Sequence, residues 1–196
     1  MKTVVYLALS VLLASSNIAL AGDVDPAKLK KKKLTPQGLY LSARESYQMV
    51  SSEKDSLLFV DVRTPAEVEF VGAPKDMDAN IPYMLNDFAE YDIKKKRFKK
   101  VPNSNFTVAI KEALDKKGLK KDSKIVLICR SGSRSAKAAS LLHKAGYNNV
   151  YSVIEGFEGD SSKVATTKGQ RIVNGWKNAD LPWTYKHSEN KMYLEL

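Results

Sequence analysis

Residues 124–146, KIVLICRSGSRSAKAASLLHKAG, carry the pattern that decides the fold. Residues 124–128 predict a strand, because residues 125–128 (IVLI) form a short apolar run that is typical of a strand buried on both faces of a sheet. From Ser135 onward the apolar residues recur at the offsets i, i+3, i+4 and i+7, and Gly146 marks the end of a helix. A six-residue polar loop, residues 129–134, therefore joins a buried strand directly to an amphipathic helix.

The sequence on both sides of this unit repeats the alternation of strand and helix. Residues 57–60 (LLFV) predict a second buried strand, and residues 149–154 predict a third. Helices are predicted from Thr35-Pro36, from Thr64-Pro65 and over residues 105–117, with Gly118 as a stop signal. Alternating strands and helices at this spacing predict an α/β domain with a mainly parallel sheet.

Four segments of the chain differ in composition. Residues 1–21 have a basic start, a short apolar core and a small-residue end, the layout of a cleaved signal peptide. We therefore expect an exported protein, periplasmic or secreted, with no stable membrane insertion after cleavage. Residues 22–35 are predicted to be a mobile basic arm, residues 36–186 the folded domain and residues 187–196 a tail. Residues 181–183 (LPW) are expected to pack the chain back onto the domain, and the lysine-rich residues 84–104 to form a solvated excursion.

Composition excludes several classes of site. One cysteine allows no intramolecular disulfide and no cysteine-rich zinc site, and two scattered histidines make a structural metal site implausible. We predict no cofactor. The formal net charge is +10, and the lysine clusters are interpreted as solvated charge that steers anions toward the loop. Because the protein is expected to be exported, no nucleic-acid partner is predicted.

The loop carries the candidate chemistry. Cys129 follows a strand of a parallel sheet, at the edge where ligands bind in such folds. Backbone N–H groups of residues 130–134 and the start of the helix provide positive partial charge for an anion. This field favours a thiolate at Cys129, the form that attacks sulfur or phosphorus, provided that the thiol is open to solvent. Arg130 is placed to pair with an anionic substrate, and Arg134 either does the same or braces the loop.

The neighbouring polar residues have plainer roles. Ser131, Ser133 and Ser135 are typical turn and cap residues, although Ser131 or Ser133 would also be placed to hydrogen-bond a sulfur adduct. Ser135 is assigned to the support of the loop. Asp61 and Arg63 follow a neighbouring strand and predict a salt bridge that supports the loop, with a substrate role for Arg63 as the alternative. An inert buried thiol at Cys129 stays open as an alternative. A Cys–His hydrolase is weakly supported, because His143 lies on the following helix and is predicted to be a partly exposed surface residue.

Four motifs together resemble a known family. Residues 61–67 (DVRTPAE), 125–135 (IVLICRSGSRS), 145–151 (AGYNNVY) and 175–176 (GW) are similar, in order and spacing, to single-domain rhodaneses. The resemblance covers about residues 36–186. It implies a five-stranded, mainly parallel sheet flanked by helices on both faces. It also implies a thiosulfate sulfurtransferase-like activity, in which Cys129 accepts sulfane sulfur as a persulfide and Arg130, Ser131, Gly132, Ser133 and Arg134 form the substrate cradle.

Two departures concern substrate choice. The family often has Gly-His-Ile where this chain has Gly72-Ala73-Pro74, and the lysine-rich segment is longer than a minimal domain needs. Related phosphatases have five residues between Cys and Arg, whereas only residues 130–133 separate Cys129 from Arg134. This shorter loop favours sulfur transfer from a small anionic donor to a thiol or cyanide acceptor. The alternative function is a non-turnover persulfide carrier or a protein-binding module, and the sequence does not identify a protein partner.

Overall fold

The computed structural model describes residues 24–194. The predicted signal peptide lies outside the described residues. Within them the strands are β1 (Tyr40–Leu41), β2 (Leu57–Asp61), β3 (Ala73–Pro74), β4 (Ala79–Asn80), β5 (Met84–Asp92), β6 (Arg97–Pro102), β7 (Lys124–Ile128), β8 (Val150–Val153) and β9 (Trp183–Thr184). The helices are α1 (Ala43–Ser52), α2 (Pro65–Val71), α3 (Phe106–Lys116) and α4 (Ser133–Lys144).

The centre of the molecule is a five-stranded sheet in the order β1-β8-β7-β2-β4, with every pairing parallel. β2 is buried along its whole length, and β7 is buried from Ile125 onward. Their apolar side chains therefore point into packed layers on both sides, as continuous runs of this kind require. The prediction of an α/β fold with a parallel sheet is confirmed. Parallel pairing also brings the carboxyl ends of β2, β7 and β8 to one edge.

Helices cover both faces of the sheet, as predicted. On one face, α1 and α2 pack with Phe59 and the fully buried Trp176. On the other face, α3 and α4 enclose a second core that includes Phe106 and Leu142. Successive residues of β2 alternate between these cores, with Phe59 in the first and Leu58 in the second, because strand side chains alternate in direction. The sheet is thus anchored from both sides.

The first helix begins later than predicted. Thr35-Pro36 is followed by a turn in which Gly38 has φ +66°, and the chain then enters β1. The backbone carbonyls of Leu39 and Leu41 accept hydrogen bonds from the chain of β8, so tertiary pairing replaces the expected helical turn. α1 starts at Ala43 because Ser42 and Glu45 form a capping box.

The end of the predicted mobile arm is attached to the domain. Lys33 is a buried residue, and its Nζ lies 3.0 Å from a carboxylate oxygen of Asp160. A little further along, Gln37 donates a side-chain hydrogen bond to the carbonyl of Ala139 on α4. This part of the chain therefore packs on the fold, and the prediction of a mobile arm is wrong for it. The buried ammonium is tolerated because it is paired.

The lysine-rich segment is ordered as an antiparallel hairpin of β5 and β6, with a bulge between Asp87 and Tyr91. Most of its side chains are exposed, as expected of a solvated excursion. The predicted return of the tail is confirmed. β9 pairs with β3, Leu181 joins the core, and Trp176 donates its indole N–H to the carbonyl of Pro182 at 2.9 Å. No helix in residues 24–194 is long and apolar enough to cross a membrane.

Candidate active site

The loop between β7 and α4 is shaped by one glycine. Gly132 has φ +87°, and a Cβ at this position would lie 2.1 Å from the carbonyl oxygen of Ile154. Only glycine fits both the left-handed backbone and this close approach. The resulting turn places the N–H of Gly132 3.2 Å from Sγ of Cys129, to which it donates a hydrogen bond. The cysteine sulfur therefore lies inside the loop, against its backbone.

The rest of the loop offers unused hydrogen-bond donors. Across residues 24–194 no acceptor is found for the N–H groups of Arg130, Ser131, Ser133, Arg134 and Ser135. The last three belong to the first turn of α4, where N–H groups have no partner within the helix. A set of free N–H groups at a helix start carries positive partial charge and suits an anion. The backbone donors of the predicted cradle are thus available.

Cys129 is more enclosed than predicted. The residue is only 1% exposed, so the expectation of a thiol open to solvent is wrong for this structure. Its Sγ donates to Oγ of Ser135 at 3.6 Å, and Ser135 in turn bonds to the carbonyl of Gly132 and to Ser152. Ser135 is therefore a buried support of the loop, whereas Ser131 and Ser133 are half-buried at its rim. The sulfur is enclosed because the first turn of α4, which contains Ser135, packs against it.

The guanidinium of Arg134 is engaged in an ion pair. Its two terminal nitrogens lie 2.6 and 2.5 Å from the two carboxylate oxygens of Glu67, at the start of α2. Although burial raises the pKa of Glu67, the hydrogen bond and charge of Arg134 and the charge of Lys100 hold it well below its usual range. Burial lowers the pKa of the Arg134 guanidinium, but the hydrogen bond and the charge of Glu67 have the larger opposite effect. The pKa of Arg134 is therefore raised above its usual value. This ion pair is the kind of contact that the bracing alternative requires, and the substrate-binding alternative stays a prediction.

Arg130 is the loop cation that retains binding capacity. Its Nε is buried and has no hydrogen-bond partner among the described residues. Burial, followed by repulsion from Arg171, lowers the pKa of its guanidinium. A half-buried cation with an unsatisfied N–H is stabilised by an arriving anion, because the anion supplies both the charge and the acceptor. This placement agrees with the predicted substrate-binding role.

Asp61 and Arg63 form the predicted salt bridge. Both side chains are fully buried, with Nη2 of Arg63 2.6 Å from a carboxylate oxygen of Asp61 and 2.7 Å from the carbonyl of Gly72. The guanidinium lies over the ring of Phe157, 4.4 Å from its centre. Phe157 donates its backbone N–H to the carbonyl of Cys129 at 2.7 Å. Arg63 thus supports the active loop from below and has no exposed surface for a substrate.

Sequence reasoning missed two residues of this site. Glu67 was passed over, although the Thr64-x-x-Glu67 spacing signals a capping box that fixes its carboxylate at the start of α2. Gly156 was also missed, and no local signal marks it. A Cβ on Gly156 would lie 2.4 Å from the nitrogen of Ser131, so its bare backbone makes room for the loop. His143, by contrast, is exposed as predicted.

Comparison with known proteins agrees with this geometry. A family model described as the rhodanese-like domain matches residues 42–163. The chain belongs to the rhodanese-like domain family. This rhodanese-like protein is 30% identical over 145 residues to the uncharacterized protein RP600 of Rickettsia prowazekii, an alignment that covers 74% of this chain and 96% of that one. A 37-residue stretch is 51% identical to rhodanese-like domain-containing protein 9, chloroplastic, of Arabidopsis thaliana, covering 19% of this chain and 16% of that protein.

The fold of this rhodanese-like domain is shared with a solved structure. The crystal structure of Rv0390 from M. tuberculosis superposes with a TM-score of 0.56 at 25% identity, covering 75% of this chain and 97% of that one. The resemblance inferred from the motifs is therefore confirmed at the level of family and fold. Trp176 and Leu181 lie beyond the matched residues but belong to the core. Within residues 24–194 no group of three or more His, Cys, Asp or Glu side chains is placed to hold a metal ion.

Proposed function

We propose that this rhodanese-like domain moves sulfane sulfur from an anionic donor such as thiosulfate to a thiol or cyanide acceptor. In the first step the Cys129 thiolate attacks the outer sulfur of thiosulfate. A new S–S bond forms on Cys129, the donor's S–S bond breaks and sulfite leaves with the electron pair. In the second step the acceptor attacks the terminal sulfur and releases the thiolate. With cyanide as acceptor the product is thiocyanate.

One observation carries this proposal. The sulfur of Cys129 accepts the N–H of Gly132, and the adjoining N–H groups of the loop are unused. The thiolate of Cys129 is the attacking group in the first step and the leaving group in the second. The free N–H groups and the Arg130 guanidinium supply donors for the oxygens of thiosulfate. Arg134, held by Glu67, keeps the start of α4 in place while the donor binds.

The loop length supports sulfur rather than phosphorus as the transferred atom. Only residues 130–133 lie between Cys129 and Arg134, and Gly132 is already folded onto the sulfur. A single sulfur atom bound to Sγ needs less room than a phosphoryl group with its three oxygens. The same compactness is consistent with the burial of Cys129, which is 1% exposed.

The test is intact-mass analysis of the mature protein before and after exposure to thiosulfate. We expect a gain of one sulfur atom that cyanide removes, and no gain in the Cys129→Ser variant. Polysulfide and an organic thiosulfonate serve as further donors, because their different sizes probe access to the enclosed sulfur. Absence of a gain with all three donors would overturn the proposal.

Burial of Cys129 favours a second candidate function, a persulfide carrier or a protein-binding module without turnover. A thiol that is 1% exposed is poorly placed to meet free donors and acceptors in rapid succession. Steady-state production of thiocyanate from thiosulfate and cyanide separates the candidates. Multiple turnovers per Cys129 support the enzyme, and a single sulfur gain without turnover supports the carrier. If neither turnover nor a sulfur gain is observed, the binding module is supported.

We also propose that the protein is exported by means of residues 1–21. The basic start, the apolar core and the small residues before Gly22 support this proposal. N-terminal sequencing of the protein recovered from the native cell gives a direct test. A mature chain that starts at Gly22 is expected, and recovery of the chain starting at Met1 would contradict export by cleavage.

A further inference from the structure

The β5–β6 hairpin carries an exposed aromatic cluster that the proposed sulfur transfer does not use. The ring of Phe98 packs edge-on against Phe88 at 5.2 Å and against Tyr91 at 5.6 Å between centres. Phe88 is nevertheless 69% exposed, and Ile93 at the turn is 83% exposed. Apolar side chains gathered in one exposed patch mark an interaction site more often than scattered ones do. We call the residues of β5, β6 and their turn the hairpin.

A cleft lies between the hairpin and the start of α2. It has a volume of about 540 Å³ and is lined by residues 64–66, by Leu85 and Phe88 of the hairpin, and by Tyr193 and Leu194 of the tail. We call this cleft the hairpin groove.

The hairpin that lines one side of the groove carries more basic than acidic side chains. Residues 84–102 contain six basic and three acidic side chains. Two of the acids, Asp92 and Glu90, are paired with lysines of the same hairpin. Lys94, Lys96 and Arg97 form no ion pair within residues 24–194. An apolar groove on a hairpin with unpaired cations is complementary to a ligand with apolar anchors and negative charge.

We propose that the hairpin groove binds an extended acidic segment of a partner protein, one that inserts apolar side chains beside Phe88. The concave shape favours a polypeptide over a bilayer surface, since individual side chains enter a cleft that a flat surface only covers. Alternating side chains of an extended segment suit such a site: one set fills the cleft and the other faces Arg97 and its neighbours. Aromatic rings and arginine are the residue types that contribute most to protein interfaces.

The groove is connected to the active loop through one carboxylate. Glu67 accepts a hydrogen bond from Lys100 of the hairpin at 3.4 Å and two from Arg134 of the loop. A partner seated in the groove therefore lies beside the side chain that positions the start of α4. Binding itself does not depend on sulfur transfer, and it is measured without a sulfur donor. Failure of the proposed activity thus leaves this proposal testable.

The experiment selects binders from a displayed library of random twelve-residue peptides, with the mature full-length chain as target. We expect enrichment of peptides that combine Asp or Glu with Leu, Phe or Trp. A synthetic copy of an enriched peptide, measured by fluorescence anisotropy, should bind about tenfold more weakly to Phe88→Ser and to Arg97→Glu. The matched control is Leu141→Ser with Lys144→Glu, an exposed apolar and basic pair at the far end of α4, which should bind as the wild type does.

Several outcomes would overturn the proposal. They are the absence of enriched peptides, enrichment of basic peptides, and binding that the two hairpin substitutions leave unchanged. Co-sedimentation with phosphatidylglycerol vesicles is measured in parallel. Vesicle binding that is lost in Phe88→Ser, without peptide enrichment, would assign the hairpin to a membrane surface and so reject a polypeptide partner. Because Phe88 and Arg97 are exposed, their replacement should leave the fold intact, which circular dichroism verifies.

Discussion

Replacing Glu67 with glutamine tests whether the ion pair with Arg134 holds the active loop in place. The substitution keeps the size of the side chain and one oxygen acceptor, but it removes the negative charge and one of the two short hydrogen bonds to Arg134. Arg134 then stays at the start of α4 with its charge only partly compensated. Helix α4, which follows the loop that carries Cys129, begins at Ser133, one residue before Arg134. The disturbance therefore occurs next to the candidate site.

The expected cost follows from the burial of the pair. Removing one partner of a buried ion pair costs about 3–5 kcal/mol, and a hydrogen bond to a charged group contributes about 1.5–3 kcal/mol. The Arg134 and Glu67 side chains retain 17% and 21% exposure, and glutamine keeps one acceptor. We therefore expect Glu67→Gln to lower the free energy of unfolding by about 2–3 kcal/mol. That is a large fraction of the roughly 5–15 kcal/mol available to a domain.

The assay is urea denaturation at pH 7 of wild type, Glu67→Gln, Arg134→Met and the double variant. We expect a coupling energy of about 2 kcal/mol between the two positions. The control cycle uses Lys111 and Asp115, an ion pair on α3 whose side chains are 67% and 57% exposed. Its coupling should stay below about 0.5 kcal/mol. Equal coupling energies in the two cycles would refute the argument that burial makes the Glu67 pair strong.

The same pair predicts a pH dependence of stability. The pKa of Glu67 is lowered in the folded protein, because the attraction of Arg134 and Lys100 outweighs the opposite effect of burial. Its contribution is therefore complete above the unfolded-state pKa, about 4.3, and is lost as the pH falls from there toward the folded-state pKa. Wild type should lose more stability than Glu67→Gln between pH 6 and pH 3, as followed by urea midpoints. Parallel curves for the two proteins would contradict this prediction.

Three further predictions concern other contacts of the fold. Asp61→Asn leaves the buried Arg63 uncompensated and should cost about 3–5 kcal/mol in urea denaturation; a loss below about 1 kcal/mol would show that the pair is not needed. Gly132→Ala forces a Cβ toward the carbonyl of Ile154, so we expect a cost above about 2 kcal/mol and no sulfur gain in intact-mass analysis; a normal gain would show that this turn is not required. Lys33→Met removes the ion pair of the N-terminal segment, and thermolysin should cleave that segment sooner; an unchanged cleavage rate would argue against its attachment.

Much of the active loop was predictable because its signals are local. The apolar run before Cys129 and the helical spacing after Ser135 place a strand and a helix on either side of six polar residues. The predicted salt bridge of Asp61 and Arg63 was equally accessible, since the two residues are close in the chain and follow a buried strand. In each case the physical cause, burial on both faces or a helix start, acts within a few residues.

Other predictions failed where distant residues compete with local preference. Thr35-Pro36 is a good helix start, yet the following residues pair with β8, more than a hundred positions away. The N-terminal lysines look solvated by composition, yet Lys33 is buried against Asp160. In both cases a long-range contact contributes more to the stability of the fold than the local conformation that the sequence pattern predicts.

The sequence by itself determined the layering of the fold and the chemical character of the loop, because hydrophobic period, glycine positions and helix caps act over short stretches. Only the tertiary structure decided that Arg134 faces Glu67, that Cys129 is enclosed, and that the hairpin presents its aromatic rings beside a cleft. Those outcomes depend on which side chains meet across the carboxyl edge of the sheet. Burial and charge pairing at that edge are properties of the assembled chain, since each partner's environment exists only after the strands have paired.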